Sequence, residues 1–229
     1  MLPGKSKSDV MRHGRSATAV HLSAMAKLCS LLARVFSYPD RIEAQAYTSV
    51  EFLDICEGFV SEAGFPARIA DDVCERFAEM SNRMDSEERG KALRVEYTQL
   101  FTLPPRPISL VGSKWVHNRT LASERKGERF AVDEVYRELG LRNKPTVRDP
   151  ADHLVSELDF MHYILRAEAR AWDNDDLVMA RDWRQLRDDF LEYHLYELAL
   201  GVAHAIDRMS SNAHMRYYAA LLRLVIEHI

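Results

Sequence analysis

The residues whose types and spacing could do chemistry are concentrated in one stretch, Asp149-Pro150-Ala151-Asp152-His153-Leu154-Val155-Ser156-Glu157-Leu158-Asp159-Phe160-Met161. Asp149 reads as a helix N-cap, Pro150 suits the first helical position, and Asp152 stands where a capping-box acid belongs, although aspartate is shorter than the usual glutamate. Leu154, Leu158, Met161 and Leu165 then recur at helical spacing and define a core face. His153 and Glu157 lie one turn apart on the same side, beside Phe160. Two readings stay open at this point. One is a well-made helix start with a solvated flank. The other is an acid–imidazole pair at the positively polarised end of a helix, facing the irregular proline-rich segment that precedes it in the chain.

Other candidates are weaker. Asp159-Phe160-Met161-His162 has the carboxylate-x-x-His spacing of di-metal bundles, but those sites need a second copy and partner glutamates, and the sequence supplies no second copy. Asp152-His153 runs opposite to the His-Asp order of metal phosphohydrolases. His194, in Glu192-Tyr193-His194, falls among Trp183, Phe190 and Tyr196 and reads as a core histidine. A metal-dependent helical-bundle enzyme using Asp159, His162 and His194 is therefore the alternative rather than the leading reading. No serine or cysteine has a nucleophile context, and glycine-rich phosphate loops are absent. Cys29, Cys56 and Cys74 are odd in number and widely spaced among apolar residues, which favours reduced buried thiols over a disulfide or a metal site. The expectation is a protein that is not an enzyme and carries no cofactor.

The elements that must position these residues carry a helical period almost throughout. Met25, Cys29, Leu32 and Phe36 follow Leu22 in a three-four alternation, and Leu28, Leu31 and Val35 add a second stripe, so the first helix should be buried on two sides. Tyr38-Pro39-Asp40 ends it. Further helices are expected over Ile42 to Ala63, Pro66 to Met84 and Ser86 to Phe101, with Gly64 as a left-handed stop. Leu103-Pro104-Pro105-Arg106-Pro107 breaks the pattern, and the stretch to about Lys126 lacks a period, a length that often marks a functional loop. A short helix from Val132 to Leu139, a hinge at about 141–149, and helices over Pro150 to Ala171, Asp175 to Leu198, Leu200 to Met209 and Ala213 onward complete the chain. The fold class is thus all-α, a helical bundle of about eight to ten helices, with a flexible tail over 1–16 and a single helical domain over 17–229.

Composition agrees: 47% hydrophobic and 29% charged residues are ordinary for a globular chain. Only 9 glycines and 8 prolines leave little turn chemistry for a many-stranded β fold. A net charge of −4 and a pI of about 6.1 give no overall attraction to nucleic acid or an anionic membrane. Met1 to Arg15 has no signal-peptide apolar core, and no run approaches the roughly 18 apolar residues of a membrane span. The expected location is the cytoplasm.

These residues resemble the signature of the TorD/DmsD/NarJ family of redox-enzyme maturation chaperones, whose hinge is followed by a Glu-Pro-x-Asp-His core. Asp149-Pro150-Ala151-Asp152-His153 departs from it only in the leading aspartate, and Glu157-Leu158-Asp159-Phe160-Met161 matches the continuation. Arg94-Val95-Glu96-Tyr97-Thr98-Gln99-Leu100-Phe101 resembles a second family helix, although the glycine of the following turn is lost in Thr102-Leu103-Pro104. Val135-Tyr136-Arg137-Glu138-Leu139-Gly140, Phe190-Leu191-Glu192-Tyr193-His194-Leu195 and Tyr38-Pro39 add further matches in the right order, over about residues 20 to 200.

The resemblance implies two helical lobes joined at the hinge. It also implies a chaperone that binds the twin-arginine signal peptide, or another segment, of a molybdopterin oxidoreductase subunit until its cofactor is inserted and export can proceed. Some members form domain-swapped dimers, so a homodimer is one implied state. On this reading a groove of Leu100, Phe101, Trp115 and Phe160 takes the apolar part of the peptide. Asp152 and Glu157 face its arginines, and His153 contacts it directly.

Overall fold

The longest element, α1, runs Lys7–Val35, starting well before the Leu22 at which the apolar stripe becomes visible. The computed structural model describes residues 7–65, 71–105, 107–115, 137 and 150–229; the expected hinge at 141–149, Asp149, Pro66 and most of the short helix over 132–139 lie outside these. Both stripes of α1 are buried, from Leu22 through Leu28 and Leu32 to Phe36. Its main partner is α6, Leu154–Asp173, which runs along it and buries Leu158, Met161 and Leu165 in the same core cluster. His162 ties the two backbones together, its Nδ1–H donating to the Ala26 carbonyl at 2.8 Å.

The helix expected over Ile42 to Ala63 is two helices, α2 (Arg41–Tyr47) and α3 (Val50–Glu62). The reason is local capping. Thr48 turns its hydroxyl back to the Ala44 carbonyl at 3.0 Å, and Ser49 starts afresh by accepting from the Phe52 amide at 3.2 Å. At the start of α2, Asp40 and Glu43 form a full capping box, with bonds of 2.8 and 2.9 Å. Gly64 is the left-handed stop that the sequence predicts, at φ +82°, and lets the Phe65 amide reach the Val60 carbonyl at 3.2 Å.

Helices α4 (Asp71–Arg83) and α5 (Ser86–Tyr97) follow, and α5 widens into a π turn over Thr98–Thr102. After α6 come α7 (Leu177–Phe190), a second π turn (Leu191–Leu195), α8 (Tyr196–Met209) and α9 (Ala213–His228). The break expected between Leu198 and Leu200 does not occur. Gly201 stays inside α8 because an indole packs against it, which offsets the roughly 1 kcal/mol that glycine costs in a helix interior.

Among the described residues the backbone is helix and turn with one isolated antiparallel bridge, Val111 to His153, as the all-α reading requires. None of the described helices is long and apolar enough to cross a membrane. Cys29 and Cys56 are buried free thiols and Cys74 is a half-buried one; burial pushes the Cys56 pKa up to about 12, which leaves it inert as a nucleophile.

Candidate functional site

The signature segment does not begin the helix in the expected way. Residues 150–153 form a turn, with the His153 amide donating to the Pro150 carbonyl at 3.0 Å, and α6 starts only at Leu154. His153 is itself the N-cap, its Nδ1 accepting from the Val155 amide at 3.3 Å. An imidazole lone pair therefore takes the place that Asp149 and Asp152 were expected to fill. That fixes the tautomer: Nδ1 is unprotonated and Nε2 carries the proton.

Asp152 is free for another task. Residues 107–115, the end of the proline-rich segment, lie across the start of α6 as a strap. The Leu154 amide donates to the Leu110 carbonyl at 2.8 Å and the Gly112 amide to the Asp152 carbonyl at 2.7 Å, while the Ser113 amide donates to Asp152 Oδ2 at 3.2 Å. At its other end the Ile108 amide donates to the Leu100 carbonyl at 3.1 Å. The acid–imidazole segment thus faces the proline-rich loop, as in the second of the two readings open from sequence, and is knitted to it by backbone bonds. Asp152 and Glu157 are both buried beneath the strap. A Cβ added to Gly112 would sit 3.3 Å from the Asp152 carbonyl and 3.4 Å from Glu157 Oε1, so the strap lies on these groups as closely as a backbone can.

Between the strap, the π turn after α5 and the end of α1 lies a cavity of about 590 Å³. Tyr38, Tyr97, Phe101, Ile108, Leu110 and Val111 supply its apolar wall, and Ser109, Lys114, Pro150 and His153 its floor and rim. The aromatic members brace one another edge to face, Tyr97 against Phe101 at 4.8 Å and Tyr38 against Tyr97 at 5.5 Å. The Arg94 guanidinium lies over the Tyr38 ring, 5.9 Å from its centroid, and with Thr98 holds the phenol's pKa below the usual tyrosine range. None of the described lining residues is acidic, and Lys114 adds a cation.

Of the residues singled out from sequence, Phe101 and His153 meet in this cavity. Leu100 lies buried behind Phe101. Trp115 faces the other side of the strap: its Nε1–H donates to the Ser109 carbonyl at 2.6 Å, and its ring packs on Gly201 of α8. Phe160 is in the core, edge to face with Phe190 at 4.7 Å. Sequence reasoning missed Tyr38, Tyr97, Ile108, Leu110, Val111 and Lys114. In the sequence Tyr38-Pro39 signals a helix end and a family match, and Tyr97 belongs to a motif, but neither spacing marks a cavity wall. For the alternative reading, His162 already spends Nδ1 on a carbonyl. Among the described residues no group of three or more histidine, cysteine or carboxylate side chains is placed to hold a metal.

The arrangement offers a preformed apolar cavity of ligand-pocket size, one histidine oriented by its own helix, and a wall held by main-chain bonds. Comparison with known proteins adds one finding. A family model described as nitrate reductase delta subunit matches residues 67–198, a span that contains the π turn, the strap and the signature segment. No curated protein and no solved structure matches the chain. With more than half of its length matched, the chain belongs to the nitrate reductase delta subunit family, the NarJ/TorD-type chaperones of molybdoenzyme maturation.

Proposed function

We propose that this chain holds a signal peptide, or another terminal segment, of a molybdopterin oxidoreductase subunit in the 590 Å³ cavity while the cofactor is inserted, and so sets the time of assembly and export. The observation that carries the reading is the character of the cavity wall: aromatic and aliphatic, free of acidic groups among the described residues, and beside His153. Such a wall takes the apolar helix-forming stretch of the peptide in helix-in-groove fashion. Burying a few leucine-sized side chains contributes roughly 1.5–3 kcal/mol each, which after ordering costs supports a dissociation constant around micromolar, about −8 kcal/mol.

The paired arginines have a smaller part. Asp152 and Glu157 lie beneath the strap, so their role is to position it rather than to meet the peptide as surface charges. Phe101 and His153 are the direct contacts in this reading; Leu100 and Trp115 brace the π turn and the strap, and Phe160, packed on Phe190 in the core, has no part in the contact.

Calorimetric titration of the full chain with a synthetic twin-arginine peptide from its partner subunit tests this. Exchanging the two arginines for lysines should change affinity little, whereas exchanging the apolar stretch for serines should abolish binding. A serine peptide that binds as well as the native one removes the cavity from recognition.

A further inference from the structure

A second concave surface lies on the other side of α6 and shares no residue with the cavity beneath the strap. It is a groove of about 450 Å³ between α6 and α7. Tyr163 and Trp183 stand in it edge to face, 5.8 Å between ring centroids. Met179, in the first turn of α7, also lines it, and its neighbours Leu177 and Val178 are exposed, Val178 at 71%. Met179 thus carries the apolar lining on from the two rings into that turn, where Leu177 and Val178 add exposed apolar surface, the kind of feature that marks an interaction site.

The charges on the groove have one sign to spare. Arg166 and Arg170 line it one helical turn apart, both exposed, and neither makes an ion pair among the described residues. The contrast is with α7, where Arg184 and Arg187 are drawn to buried Glu168 at 3.4 and 2.8 Å. The one carboxylate among the described residues lining the groove, Asp176, is engaged at its own helix start, accepting from the Met179 amide at 3.1 Å.

We propose that this groove docks an acidic amphipathic helix of a partner protein. An apolar side chain of that helix inserts between Tyr163 and Trp183, and two carboxylates one turn apart meet Arg166 and Arg170. Two guanidiniums at i, i+4 present planar donor forks at the spacing of acids on a facing helix. The apolar strip running beyond the rings favours an extended chain over a small anion, which would use the arginines alone. The surface is independent of the peptide cavity.

The probe is a short, fluorescein-labelled alanine-based helix with leucine and tryptophan on one face and two glutamates a turn apart at its edge, read by anisotropy against the full chain. It should bind, and R166E/R170E should weaken it at least tenfold. A probe with lysines in place of the glutamates should bind that variant and not the native chain. Trp183→Ala should weaken both pairings, and binding of the signal peptide at the other cavity should stay unchanged in every variant. The proposal is overturned if the glutamate and lysine probes bind the native chain equally, if neither binds, or if inorganic phosphate displaces the probe fully, which marks a plain anion site. It is equally overturned if sedimentation shows a dimer of the native chain that R166E/R170E dissociates, because the groove is then a contact between copies.

Discussion

Substitution of Gly201 by alanine should act through the strap, although Gly201 is in α8 and outside the cavity. A Cβ built there would lie 2.7 Å from Trp115 Cζ3 and 3.1 Å from Cδ2, inside van der Waals contact, so the indole must move. Alanine gains roughly 1 kcal/mol of helix propensity. Against this stand an overpacking cost of roughly 1–3 kcal/mol and the Trp115-to-Ser109 hydrogen bond, about 1 kcal/mol. The balance is a net loss of about 1–3 kcal/mol. Gly58, exposed in the middle of α3 with nothing within 4 Å of an added Cβ, is the matched control: Gly58→Ala should raise stability by roughly 0.5–1 kcal/mol. Urea unfolding gives both signs. Tryptophan emission should shift only for Gly201→Ala, and calorimetry should show that variant losing peptide affinity, because the strap carries Ile108, Leu110, Val111 and Lys114 into the cavity wall. If Gly201→Ala is as stabilising as Gly58→Ala, or if it leaves peptide affinity untouched, the strap does not depend on the Trp115 contact.

Three further outcomes are expected. His153→Ala removes a cap worth about 1 kcal/mol and should still fold, yet lose partner maturation in cells. Asp152→Asn should also fold, keeping an acceptor for the Ser113 amide, while Asp152→Ala should lose roughly 1–3 kcal/mol. Denaturation with equal loss of both properties would make the pair purely architectural. His214 predicts a pH dependence. Ser81 donates its hydroxyl to the Thr48 carbonyl at 2.9 Å and so accepts from His214 Nε2 at 3.1 Å, which leaves Nδ1 unprotonated and buried without a partner. Burial, and then the charge of Arg89, lowers its pKa from 6.5 to about 4. The folded pKa lies below the unfolded one, so the contribution is complete above pH 6.5 and is lost as pH falls toward 4, about 3 kcal/mol in all. Unfolding of native chain and His214→Gln from pH 8 to pH 4 should show the native curve falling more steeply across that window; parallel curves would refute the assignment.

The helices were legible in the sequence wherever apolar spacing decides them. The double stripe of α1, the Gly64 stop and the core face of α6 all follow from period and from glycine's access to positive φ. Breaks and continuations were less legible, since they turn on tertiary partners or on which of several caps wins. Thr48-Ser49 interrupts an unbroken apolar pattern because two hydroxyls cap in opposite directions. Gly201 continues a helix because Trp115, distant in sequence, occupies the space it leaves. The signature segment was visible as a candidate site, but its chemistry was inverted in one respect. Acids default to the surface, and only the strap's amides, supplied from residues 112 and 113, explain why Asp152 is buried and why His153 rather than an aspartate caps the helix.

The pairing of α1 with α6 has a consequence for how the molecule comes into being. The hydrogen bond from His162 to Ala26 spans 136 residues, and the apolar faces of both helices complete one another. On the ribosome, at roughly 5–20 residues per second, the first helix must wait about 7–27 s before its main partner has been made. Through that interval α3 can settle on one side of the first helix, but the greasy stripe that α6 covers stays bare. A nascent chain in this state is itself a client for other chaperones, and a truncation ahead of α6 releases a sticky fragment rather than a small working lobe.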